Sequence, residues 1–400
     1  MTPTAGSIPS IPRALVLAAM ILGSCASQVF AQLPPAEKAQ ALVRQGASLL
    51  DDKKAEDAEP ILRQAAAMDP TNVLAFYYLG VSEMTLKKYA AAVESMQTAL
   101  KLDAANPGFL KKQRREAQDM EGLALAYLKE FDRARAHYKD VIAKDPDYPG
   151  FPYNLACICA SAGDGVGALA ALKTALTLDA KSESGPTLPD PAADEDLKGL
   201  WGRPDFQAIL IMNLSPQPDD GPGGTVAREG ARALAYGDAE GAVAKLKAGL
   251  EIDPKMTRGW FFLGGALDAL KRTGEAAQAY RKAVALNVGS RAALSKPMVR
   301  YACMRSGQDY IASGAFADAV KELKSADGAD AYNAWVHYEL ARAYAGLGEA
   351  DQVRSSLTQA IALRDQMLPV EPPLPDPSKD PAFSKWAKDK EWQAFLATLR

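Results

Sequence analysis

LAFYYLGVSEMTLKKYAAAVESMQTALKLD (Leu74–Asp103) superimposes without a gap on RGWFFLGGALDALKRTGEAAQAYRKAVALN (Arg258–Asn287). Each stretch holds two runs of apolar and small residues at helical spacing, parted by a short polar turn, which predicts a pair of amphipathic helices. Glycine in the first run, Gly80 or Gly264, leaves room for a second helix to cross closely. Alanine in the second run, Ala92 or Ala276, is followed one turn later by a larger residue, Met96 or Tyr280. Such a unit cannot bury its apolar face alone, so a recurring pair implies a stacked array.

Working outward with these anchors gives eight units, beginning near Ala39, Val73, Arg115, Pro149, Gly223, Thr257, Arg300 and Ala334. The second-helix alanine recurs as Ala58, Ala92, Ala134, Ala168, Ala242, Ala276 and Ala319, with Val353 in the eighth unit. The small crossing residue recurs as Gly46, Gly80, Gly122, Ala156, Gly230, Gly264, Gly307 and Ala341. Pro70, Pro146 and Pro254 stand where a helix must stop. The large-x-x-Leu-Gly pattern of Phe76, Leu79 and Gly80, and of Trp260, Leu263 and Gly264, resembles the tetratricopeptide repeat. The resemblance implies an all-α solenoid of helix–turn–helix repeats. Gln45 and Glu121 depart from it, standing where the family prefers a large apolar residue.

The fourth and eighth units share a tail. DEDLKGLWGRPDFQAIL after the fourth aligns with DPAFSKWAKDKEWQAFL after the eighth. Asp194 then matches Asp380, Leu197 matches Phe383, Leu200 matches Trp386, Phe206 matches Trp392, and Gln207-Ala208 matches Gln393-Ala394. This resembles the end-of-group form of the repeat, in which a closing segment covers the apolar face of the last unit. The expected organisation is two tandem arrays, 36–212 and 223–400, joined by a Pro- and Gly-rich linker at 213–222.

Lys and Arg (46) nearly balance Asp and Glu (49), for a net charge of −3, which gives no support for a nucleic-acid partner. Only His137 and His337 are available for His-based catalysis or metal binding. Glycine-rich stretches such as GGTVAREG follow no strand and so lack the setting of a phosphate cradle. Residues 111–115, KKQRR, read as a solvated helix face, with contact to an acidic partner or lipid surface as the alternative. Arg13, the apolar run Ala14–Leu22 and VFA at Val29–Ala31 read as an export signal over 1–31, too short to span a bilayer. LGSC at Leu22–Cys25 resembles a lipobox, so a lipid anchor on Cys25 after removal of 1–24 is the alternative. The chain is therefore expected in the bacterial periplasm or secreted, with or without that anchor and with no transmembrane helix in its mature form.

The family resemblance implies a groove lined by first helices that receives a protein or peptide, with no catalysis and no cofactor. Tyr77, Tyr153, Phe261 and Tyr338 follow the large first-helix position and are the groove candidates. Arg258, Tyr301, Trp335 and Arg342 are expected to flank the second groove. The Lys and Asn clamp of chaperone-binding relatives is missing, since Tyr77, Val81, Phe261 and Gly265 hold those positions. Cys157 and Cys159 diverge by about 200° on one helix, so they neither share a metal nor pair with each other. The leading expectation is an envelope scaffold; the alternative is a permanent structural component of an envelope or secretion assembly.

Overall fold

A computed structural model of the chain describes residues 34–181, 187–212, 221–287, 294–329 and 333–399. The export signal, Cys25 and positions 213–220 of the expected linker lie outside the described residues. The first four helix pairs are α1 (Pro35–Asp51) with α2 (Ala55–Met68), α3 (Val73–Thr85) with α4 (Tyr89–Ala105), α5 (Lys111–Tyr127) with α6 (Phe131–Lys144), and α7 (Gly150–Ser161) with α8 (Gly165–Asp179). A 3-10 turn (Glu195–Leu200) and α9 (Pro204–Ile211) form the first tail. Four further pairs follow: α10 (Gly221–Ala235) with α11 (Ala239–Ile252), α12 (Thr257–Ala269) with α13 (Thr273–Leu286), α14 (Lys296–Ala312) with α15 (Phe316–Ala329), and α16 (Ala334–Leu347) with α17 (Ala350–Ala362). A 3-10 turn (Pro381–Trp386) and α18 (Lys390–Thr398) form the second tail, and no strand occurs among the described residues.

Each pair is closed by the contact expected from sequence. A Cβ on Gly122 would lie 2.3 Å from the Tyr138 ring, and one on Gly264 would lie 2.5 Å from the Tyr280 ring. The partners one turn after the second-helix alanine or valine are Leu62, Met96, Tyr138, Leu172, Leu246, Tyr280, Leu323 and Leu357, and all are fully buried. Helix backbones this close exclude water and maximise dispersion contact, so a single added methyl is felt.

The turn inside every pair is built one way. Its residue of positive φ is Lys53, Lys87, Lys129, Gly163, Gly237, Lys271, Gly314 or Gly348, with φ between 59° and 84°. The chain thus reverses direction through one left-handed residue, which glycine adopts freely and lysine does not. The turn between successive pairs is tied by an acid or amide after the second helix. Asp69 accepts from Thr71, Asp179 from Thr187, Asp253 from the Lys255 amide and Asn287 from the Leu294 amide. Asp103 takes the Gly108 and Phe109 amides at 2.8 and 2.7 Å together with Arg114. Burial alone would raise the pKa of Asp103; the bonds from Arg114, Phe109 and Gly108 outweigh it and hold the carboxyl below its ordinary range.

The described chain forms two compact bodies, one ending at Asp145 and the other running from Pro146 to Arg400. In the first, Leu42, Val43, Leu62 and Leu79 form one apolar cluster and Tyr77, Met96, Phe109 and Met120 another. Glu121 is buried there and accepts from Gln97 at 2.8 Å, with His137 Nδ1 3.5 Å away. These partners account for an acid where the family pattern places a large apolar residue.

The division at Asp145/Pro146 differs from the joint expected at 213–222. The expected joint is bridged by α9, which packs on α10 and α12 of the following repeats. A Cβ on Gly265 of α12 would lie 2.3 Å from Pro204 of α9, and one on Gly202 would lie 2.5 Å from the Pro297 carbonyl. The first tail is thereby part of the core of repeats five to eight, and the fourth repeat goes with it.

Candidate functional site

In the second body the two tails repeat one another atom for atom. The Tyr153 hydroxyl donates to Asp194 Oδ2 at 2.7 Å, and the Tyr338 hydroxyl donates to Asp380 Oδ2 at 2.9 Å. Each aspartate also caps its 3-10 turn, Asp194 through the Asp196 amide and Asp380 through the Ala382 amide. Gln207 Nε2 donates to the Trp201 carbonyl, and Gln393 Nε2 donates to that of Ala387. The tail thus folds back over the first helix of its own repeat and locks on that helix's tyrosine. Burial, and then the neighbouring carboxylate, raise both hydroxyl pKa values far above the ordinary tyrosine range.

This arrangement corrects the groove assignment. Tyr77, Tyr153, Phe261 and Tyr338 are all buried, between 0% and 6% exposed. Tyr153 and Tyr338 lie beneath the tails. Tyr77 packs edge-on against Phe109 of the next repeat and donates to Glu116 at 2.9 Å. Phe261 packs on Phe262 and Tyr280. The ring after the large first-helix position is a packing residue here because the following element covers it.

Trp335 and Arg342 are half-buried. Arg342 meets Glu339 at 3.0 Å and Asp380 at 3.5 Å. Arg258 is exposed. Tyr301 is half-covered, and burial, followed by Asp268, raises its pKa to about 12. The basic run at 111–115 is not a free solvated face. Arg114 pairs with Asp103 and Arg115 with Asp145, tying α5 to the turns on either side.

Cys157 is brought near Asp194 and Asp196, with ligand atoms all within 4.8 Å of one another. Burial, then Asp194 and Asp196, raise the Cys157 thiol pKa well above its ordinary value. Both Asp194 oxygens already accept hydrogen bonds, from Tyr153 and from the Asp196 amide. The trio therefore works as part of the tail lock. Cys159 and Cys303 are buried.

Sequence reasoning reads the strap that leads into the second tail, PVEPPLPDPSKD, only as a Pro-rich loop. Leu368–Pro372 lies against the first-helix side of the last two repeats. Glu371 accepts from Asn333 Nδ2 at 3.1 Å and from the Leu368 amide at 3.0 Å, and Arg300 is 3.6 Å away. Trp335 Nε1 donates to the Pro372 carbonyl at 2.7 Å. Beside the strap is a cavity of about 280 Å³, lined by Arg203, Tyr301, Met304, Arg305, Gln308 and Trp335 among others. The only legible signal of the strap was its run of prolines, which marks a loop or turn without saying where it lies. A cavity of about 620 Å³ lies between α17, the later strap and α18, with Arg364 among apolar side chains such as Leu374, Phe383, Trp392 and Leu396.

Models of the tetratricopeptide repeat match residues 39–107, 120–183, 228–290 and 310–366, together more than half of the chain. The chain belongs to the tetratricopeptide-repeat family. No curated protein matches it. Among solved structures, the C-terminal part of a TPR repeat-containing protein from Cytophaga hutchinsonii is 14% identical at a TM-score of 0.37, covering 74% of this chain and 99% of that one. MamA from Desulfovibrio magneticus is 14% identical at a TM-score of 0.26, covering 64% and 98%. The TPR2AB domain of yeast Sti1, solved in complex with pHSP90, is 14% identical at a TM-score of 0.27, covering 81% and 98%.

Proposed function

We propose that this tetratricopeptide-repeat protein is a non-catalytic scaffold of the bacterial cell envelope that binds protein or peptide partners on the first-helix faces of its repeats. The observation that carries the reading is the pattern of the helix pairs themselves. Every second helix seals its repeat, so the half-exposed side chains that remain on first helices, such as Tyr78, Trp335 and Arg342, are those available to a partner. Aromatic rings and a guanidinium suit mixed apolar and acidic partners. The export reading of residues 1–31 supports the envelope assignment, and no helix among the described residues is long and apolar enough to cross a membrane.

The test is reversible, concentration-dependent binding of envelope proteins by the full chain, compared with Trp335→Ala/Arg342→Ala. Loss of binding with an unchanged thermal melt supports the reading. Stoichiometric co-purification that the variant leaves intact sinks it in favour of a permanent structural component. Alanine at Tyr77 or Phe261 would report on folding instead, since both rings are buried.

A further inference from the structure

The strap Leu368–Pro372 sits on its surface in the way a bound peptide would. It is a β-turn, closed by the Glu371 N–H donating to the Leu368 carbonyl at 2.9 Å, whose outward groups each have a receiver. The Glu371 carboxylate meets the Asn333 amide and, at 3.6 Å, the Arg300 guanidinium. The Pro372 carbonyl takes the Trp335 indole N–H at 2.7 Å. The Val370 side chain lies where Gly199 of the first tail has no side chain, since a Cβ there would come within 2.2 Å of Val370 Cγ2. The turn of the fourth repeat completes the seat, a Cβ on Gly163 lying 2.8 Å from the Pro369 carbonyl.

The receiving residues Arg300, Asn333 and Trp335 belong to, or cap, the first helices α14 and α16. Those are the helices that the family resemblance assigns to partner binding. Where the two tails align, residues 368–372 read LPVEP and their counterparts 182–186 read SESGP. The apolar and acidic segment is therefore particular to the second tail, although the tail lock is common to both.

We propose that Leu368–Pro372 is a resident pseudo-ligand, and that the Arg300/Asn333/Trp335 surface recognises a partner segment that makes the same turn, with an apolar residue preceding glutamate and proline. This rests on the protein-binding reading above. A partner carrying such a segment takes the strap's place, and its side chains extend into the adjoining 280 Å³ cavity. Occupancy by the strap lowers apparent affinity by the fraction of molecules in which the seat is filled.

The proposal is tested on the full chain with a fluorescein-labelled peptide of residues 366–375, QMLPVEPPLP. Val370→Ala/Glu371→Ala, which loosens the strap but leaves the seat, should bind the peptide about tenfold more tightly than the wild type. Adding Arg300→Ala should remove that gain. A second variant, Gly199→Cys/Val370→Cys, closes the strap by a disulfide between adjacent positions. The oxidised form should not bind the peptide, and the same sample after reduction should.

Equal peptide binding by loosened and wild-type chains overturns the proposal, as does binding that persists in the disulfide-locked form. A melt of backbone helicity identifies a loosened chain that has failed to fold, and the oxidised and reduced comparison then decides alone. Envelope partners retained equally by locked and open chains would also overturn it, while leaving the broader scaffold reading standing.

Discussion

The two tails of the second body share a lock and differ in what lies outside it. Inward, both place a tyrosine on an aspartate and a buried apolar residue beneath the 3-10 turn, Leu197 in one and Phe383 in the other. Outward, the first tail presents Gly202, Pro204, Ala208, Ile209 and Met212, all buried against the repeats that follow. The aligned residues of the second tail are Lys388, Lys390, Ala394, Phe395 and Thr398, of which only Phe395 is even half-covered. One closing device thus has its outer side buried against further repeats in the first tail and exposed in the second. The lysines keep that end from offering an apolar face for further stacking.

Three changes would break or sharpen this comparison. The largest effect is expected beneath the tails. Phe206→Ala and Trp392→Ala remove aligned rings that are 0% and 4% exposed. Each should cost about 3–5 kcal/mol in urea unfolding. A Trp392→Ala loss below about 1 kcal/mol, the scale of an average substitution, would mean that the second tail closes nothing. Next come the locks. Tyr153→Phe and Tyr338→Phe each delete a buried hydroxyl donated to a carboxylate, worth about 1.5–3 kcal/mol. Matching losses are expected, and a clear inequality in denaturant midpoints would show that the shared geometry carries unequal weight. The smallest effect is expected outside. Ala394→Lys should change stability by no more than about 0.5 kcal/mol, as surface substitutions do. A larger loss, or a changed sedimentation coefficient, would reveal a second molecule covering that face.

Much of this architecture was written in local patterns. The glycine that admits the second helix and the large residue it faces sit a fixed distance apart, so helical periodicity alone pairs Gly264 with Tyr280 and Gly122 with Tyr138. The tails were legible for the same reason, and the aligned Asp194 and Asp380 perform identical bonds. The fate of the first-helix rings was not legible. Whether Tyr153 faces solvent or lies under a tail depends on a segment some forty residues onward returning across it, which no local period encodes. The continuity across the expected joint was hidden likewise, because it follows from the packing of α9 on α10 and α12 rather than from the composition of the linker. The strap residues gave no periodic signal, being a proline-rich turn.

The left-handed turn residue has a consequence for how this sequence could have evolved. Four of the eight turns hold lysine at φ near 60°, a conformation that costs an L-residue roughly 1–2 kcal/mol relative to the right-handed helix. Glycine already occupies the same place in the other four, so Lys53, Lys87, Lys129 and Lys271 form a reserve of stability that the chain has left undrawn. Three of those lysines lie in the body that ends at Asp145, which on this count holds most of the reserve.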